Sequence, residues 1–143
     1  MTSLGKQSCL VLLCSFVFLC LQSNSTFAGA EEDVIKARVM ELCLAKKDGK
    51  WGDVYDMLDS AYRKNTEKNV FIQKRRGTVF GDCEIKEVTI AEDGNTAKVK
   101  MTTDAMIQGS NFPNALTIQN WIKEGGTWFN QAKGMRSLFA PSH

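Results

Sequence analysis

The chain has 143 residues and a formal net charge of +2, with 24% charged and 43% hydrophobic residues. That length accommodates one domain, and the near-neutral balance of charge gives no reason to expect nucleic acid or an anionic membrane as a partner. The five cysteines and single histidine include no Cys-x-x-Cys pair, and the histidine is the terminal His143, so a Cys/His metal site is not expected.

The first thirty residues read apart from the rest. Lys6 is their only charge, an apolar run extends from Cys9 to Leu21, and Ala28-Gly29-Ala30 supplies a small-x-small pattern. These are the three regions of a cleaved signal peptide. A membrane anchor is the competing reading, but the run is about 13 residues and a spanning helix needs roughly 20. Lipid attachment at Cys14 or Cys20 is disfavoured by the bulky Leu13 and Leu19 before them. The expectation is therefore residues 1–30 as a signal, 31–133 as one domain and 134–143 as a tail. The product would be exported, periplasmic or secreted, with no membrane association once the signal is gone.

Cleavage near Ala30 would leave 17 basic against 16 acidic residues, and two cysteines, Cys43 and Cys83. In an oxidising compartment the two can pair and close a long loop. They can equally be small buried hydrophobes, one on a helix and one on a strand, and the spacing leaves both readings open. Lys74-Arg75-Arg76 is the densest basic stretch and reads as a solvated helix end placed favourably for the helix dipole.

Residues 32–47 predict a helix, with Ile35, Val39, Leu42 and Cys43 on one stripe, Lys46 and Lys47 in the last turn, and Asp48-Gly49 ending it. A second helix is predicted over 51–59, with Trp51, Val54, Tyr55 and Leu58 apolar. A bend follows at Asp59 to Tyr62, and a third helix over 67–75, capped by Thr66 and stopped by Gly77.

Beyond Gly77 the period becomes two. A strand is predicted at 83–91, then the turn Glu92-Asp93-Gly94-Asn95, then a long strand at 96–107. On that strand Ala97, Val99, Met101, Thr103, Ala105 and Ile107 share one face, and Lys98, Lys100, Thr102 and Asp104 the other. Gln108 to Asn114 reads as a loop, 115–123 as a third strand, Lys123-Glu124-Gly125-Gly126 as a turn and 127–132 as a fourth strand. Helices first and an antiparallel meander after them define an α+β domain, with N-terminal helices packed on a curved sheet of about four strands.

The segment Lys47-Asp48-Gly49-Lys50-Trp51, then Val54-Tyr55-Asp56-Met57-Leu58-Asp59, resembles the opening of nuclear-transport-factor-2-like domains, a superfamily of cystatin-like shape. The stretch Trp121 to Phe129, through Gly125-Gly126, resembles their last hairpin. The resemblance covers about residues 32–131. It implies a cone-shaped α+β fold, a pocket between sheet and helices, and frequent homodimers. The superfamily includes isomerases, dehydratases, cyclases and many non-catalytic domains, so the fold does not select a function.

Enzymes of that shape use a carboxylate, tyrosine or histidine as acid or base. With no histidine in the domain, Asp104 is the candidate carboxylate, effective only if an apolar cavity raises its pKa. Strict alternation instead puts it with Lys98, Lys100 and Thr102 on a solvated face. Trp51, Tyr55, Tyr62, Asn120 and Trp121 are the candidate pocket residues, with core packing as the competing reading for each. No cofactor is expected, since there is no phosphate-cradling glycine loop and no nucleophile elbow.

Three functions follow in order: an exported domain binding a small apolar ligand or a protein partner; a small pocket enzyme using Asp104 or a tyrosine; and a structural subunit that dimerises through its open sheet face. Thr117, Gln119 and Trp121 could contribute to that face, whereas Lys98 and Lys100 argue against a dry interface.

Overall fold

A computed structural model describes residues 24–132. The charged start and apolar run of the expected signal and the 134–143 tail lie outside them. The chain divides into two compact units, Met1–Asp33 and Val34–His143. The described part of the first is the opening of helix α1, Asn24–Lys47. This helix begins earlier than the expected residue 32 and runs without a break through Ala28-Gly29-Ala30. Among the described residues no helix is long and apolar enough to cross a membrane.

In the second unit α1 is followed by three short helices, α2 (Trp51–Asp56), α3 (Ser60–Asn65) and α4 (Lys68–Gln73). Four strands complete the chain: β1 (Thr78–Ile90), β2 (Thr96–Ile107), β3 (Ser110–Glu124) and β4 (Thr127–Asn130). They form one antiparallel sheet in the order β1-β2-β3-β4, so the fold is α+β.

The stripe on α1 is buried, with Ile35, Val39 and Leu42 fully inaccessible. It joins Val54 and Tyr55 of α2, Phe71 of α4, Val99 and Met101 of β2, Trp121 of β3 and Trp128 of β4 in one core. The alternation on β2 is as its sequence period requires: Ala97, Val99, Met101, Thr103 and Ala105 are buried, and Lys98, Lys100 and Asp104 are exposed.

Several local expectations are corrected. Asp59 is not a simple bend but the N-cap of α3, its carboxylate accepting from the Tyr62 N–H at 3.0 Å. Thr66 does not cap α4; it is the extended residue that ends α3, and Glu67 precedes α4. The 108–114 loop is instead the two-residue turn Gln108-Gly109 followed by strand. Both turn residues have positive φ, 51° and 83°, the hand that matches the twist of a tight hairpin. Pro113 is tolerated in β3 because it falls where the ladder slips: Thr103 faces Ala115, but Ala105 faces Phe112.

Two further slips interrupt the β1–β2 ladder, between Phe80 and Cys83 and between Ile85 and Glu87. Each inserts one unpaired residue and bends the strand locally. At the first, a Cβ on Gly81 would lie 2.9 Å from Asp104 Cβ, so the two strands approach there only because residue 81 has no side chain.

β4 is tied back to the helices through Asn130. Its N–H donates to Met57 O at 2.9 Å, and its carbonyl accepts from Asp59 N–H at 3.0 Å. The exposed Asp82 accepts from Lys47 Nζ at 2.6 Å, linking β1 to the end of α1.

Candidate functional site

A cavity of about 330 Å³ lies in the second unit, bounded by the end of α1, the Tyr62 and Arg75 side chains, and the inner faces of β1, β2 and β3. Its volume is in the range that holds a small organic ligand. Phe80, Met101, Ala105, Ile107 and Ala115 make most of its apolar wall, and Thr103, Thr117 and Gln119 add polar groups. A disulfide joins Cys43 of α1 to Cys83 of β1, and both cysteines line the same space.

Of the candidate pocket residues, only Tyr62 lines the cavity. Trp51 packs edge-on against Phe80, ring centroids 5.9 Å apart. Tyr55 is buried, and its hydroxyl lies 2.6 Å from Thr66 O and 3.0 Å from Arg63 O, a structural tie between helices. Trp121 is fully buried in the core. Asn120 is half-buried on the other face of β3, opposite Lys98, and its backbone carbonyl accepts from Gln131 N–H at 2.8 Å.

Asp104 is exposed on the outer face of the sheet and is not part of the cavity wall. Its Oδ1 accepts from the Asn114 N–H at 2.8 Å, holding the bulge at which Asn114 takes φ 49°. Thr117 and Gln119 face inward to the cavity rather than outward to an interface. The outer face carries Leu116 and Ile118, 42% and 47% exposed, and the cross-strand neighbours Val79 and Met106.

The two charged groups of the wall, Lys46 and Arg75, were read from the sequence as helix-end residues and not as candidate site residues. Lys46 keeps 9% of its exposure, and no hydrogen bond or ion pair among the described residues engages its Nζ. Its Nζ lies over the Phe80 ring, 5.5 Å from the centroid. Burial holds the amine down at about 8, and the Arg75 guanidinium pushes the same way. Arg75 is half-buried, with its guanidinium 5.0 Å from the Phe71 ring centroid, not the solvated helix end its triplet suggested. The signal for Lys46 was present in the helix period. Residues 35, 39, 42, 43 and 46 all fall on the buried stripe, which makes a lysine at the last of them anomalous.

Gln119 is oriented by its neighbours. Its Oε1 accepts from Trp121 Nε1 at 3.1 Å and from Asn130 Nδ2 at 3.3 Å. This leaves the amide NH₂ as the end not engaged by the core. No aspartate, glutamate or histidine belongs to the cavity wall among the described residues.

No family model matches the chain, and no curated protein matches it. Among solved structures, it is similar to the solution structure of a SEC-C motif containing protein from Rhodopseudomonas palustris. The two are 12% identical, the match covers 62% of this chain and 67% of that one, and the TM-score is 0.49.

Proposed function

We propose that the chain is an exported, non-catalytic binding domain of nuclear-transport-factor-2-like or cystatin-like shape, whose cavity takes a small, largely apolar ligand. The observation that carries this reading is the cavity itself: about 330 Å³, mostly apolar, with a few polar groups converging on it. Among the described residues the wall offers neither a carboxylate nor an imidazole for proton transfer, and Asp104 sits on the opposite face, so the pocket-enzyme reading ranks below it.

Native mass spectrometry of the protein made with its own leader and recovered after export tests the proposal. The expected result is a chain starting near Glu31 that carries added non-protein mass, lost in a folded Ala105→Trp variant that fills the cavity. A bare wild-type species would count against ligand binding, and retention of residues 1–30 would refute the export reading.

A second reading, homodimerisation, draws support from the open sheet face. Leu116 and Ile118 are exposed there, and Val79 and Met106 are opposite each other across the β1–β2 ladder. Sedimentation velocity would find a dimer that Leu116→Lys disrupts; a monomer at all concentrations rules this reading out.

A further inference from the structure

The cavity wall holds two cations and, among the described residues, no anion. The lysines around Lys46 show what is unusual about it. Lys47 pairs with Asp82 at 2.6 Å and Lys50 with Asp48 at 3.0 Å, both in solvent. Lys46, the buried one, has no carboxylate partner among the described residues and has the Phe80 ring against it. A charge withdrawn from water needs something to replace its hydration. Neither the ring of Phe80 nor the guanidinium of Arg75 does so for an ammonium group; the second repels it.

The remaining polar groups of the wall point to the same chemistry. Gln119 has its carbonyl oxygen committed to Trp121 and Asn130, so what it can offer is N–H. Tyr62 also lines the cavity, and its hydroxyl makes no hydrogen bond among the described residues. Beyond these groups the wall is hydrocarbon, the disulfide and three threonines, of which Thr103 and Thr117 spend their hydroxyl protons on the backbone carbonyls of Asp104 and Met101. A donor-rich, doubly cationic end joined to an apolar body suits an amphiphilic anion. A phosphate dianion would need more of its surface met by donors than this wall supplies.

We infer that the cavity's ligand is a small organic carboxylate, its charge received between Lys46 and Arg75 and its apolar body lying along Phe80, Met101 and Ala105. This rests on the reading of the cavity as a ligand site.

The experiment is calorimetric titration of the exported protein at pH 7 with decanoate, decan-1-ol and decylamine, which share a tail and differ in charge. Decanoate is expected to bind at least about tenfold more tightly than the alcohol, the weight of one charge-assisted hydrogen bond. Lys46→Met should abolish that preference while leaving the alcohol's affinity unchanged or improved, and Arg75→Gln should reduce it. Near-UV circular dichroism establishes that each variant is folded, and Lys46→Gln replaces Lys46→Met if the latter is not. Equal binding of all three probes by the wild type overturns the carboxylate inference and leaves the cavity as an apolar site. Binding of none overturns both. A preference for decanoate that survives in folded Lys46→Met and Arg75→Gln also overturns the inference.

Discussion

Cys43 and Cys83, with Cα atoms 6.2 Å apart, are bonded to each other across α1 and β1, and Cys43 lies one helical turn before Lys46. Residues three apart on a helix share a face, so the bridge anchors the very turn that carries the buried amine. The bond also closes a loop of 40 residues that contains all three short helices. Constraining a loop of that length removes chain entropy from the unfolded state and contributes about 3–4 kcal/mol. The Cys43→Ala/Cys83→Ala double variant is expected to lose stability of that order in urea titration. A loss below about 1 kcal/mol would mean the bridge is not formed in the protein in solution.

Lys46 makes stability depend on pH in a defined direction. Its pKa falls from 10.5 in the unfolded chain to about 8 in the fold, for burial first and Arg75 second. A lysine with a lowered folded pKa costs stability while protonated. The cost is fully present below about pH 8 and is relieved as pH rises from there towards 10.5, because only the unfolded state still binds the proton in that window. A displacement of that size corresponds to roughly 3 kcal/mol. The measurement is the difference between wild type and Lys46→Met, which isolates this one group. That variant should be more stable at pH 7, with the advantage shrinking by pH 9.5. A difference independent of pH would show that Lys46 is solvated.

What the sequence revealed, and what it hid, follows from periodicity. The stripe Ile35, Val39, Leu42 and Cys43, and the alternation from Ala97 to Ile107, are regular over enough residues to be read, and both are buried as that regularity requires. The outward direction of Asp104 followed from the same period of two. The start of β1 at Thr78 did not, because the bulge at Gly81-Asp82 breaks the alternation. Helix α3 buries no residue and so carries no apolar stripe; only Asp59 as its cap announces it. The cavity was harder still. Lys46 and Arg75 belong to residue types that usually sit in water, and their inward placement comes from packing between elements far apart in sequence.

Asp104 provides a test of the enzymatic alternative. Its carboxylate caps the Asn114 N–H at 2.8 Å on the outer face. Asp104→Asn keeps an acceptor there and should change stability by less than about 1.5 kcal/mol, the net worth of one such hydrogen bond. Decanoate affinity in the same titration should be unaltered. A large loss of affinity would place Asp104 in communication with the cavity and revive its candidacy as a base.

The two tyrosines should separate folding from binding. The Tyr55 hydroxyl lies between the carbonyls of Thr66 and Arg63, at 2.6 and 3.0 Å, and holds the end of α3 against α2. Tyr55→Phe leaves two part-buried carbonyls without their donor and should cost about 1–3 kcal/mol of stability. Its effect on ligand affinity should be small, since Tyr55 is not part of the cavity wall. Tyr62→Phe should do the reverse. Its ring still packs edge-on against Phe71, centroids 6.1 Å apart, so the fold loses little. Tyr62 lines the cavity and the variant removes its one donor, so decanoate should weaken while decan-1-ol is less affected. Paired urea and calorimetric titrations of both variants measure this. If Tyr62→Phe lowered stability as much as Tyr55→Phe and left decanoate binding intact, Tyr62 would be a core residue and the cavity's polar end would reduce to Lys46, Arg75 and Gln119.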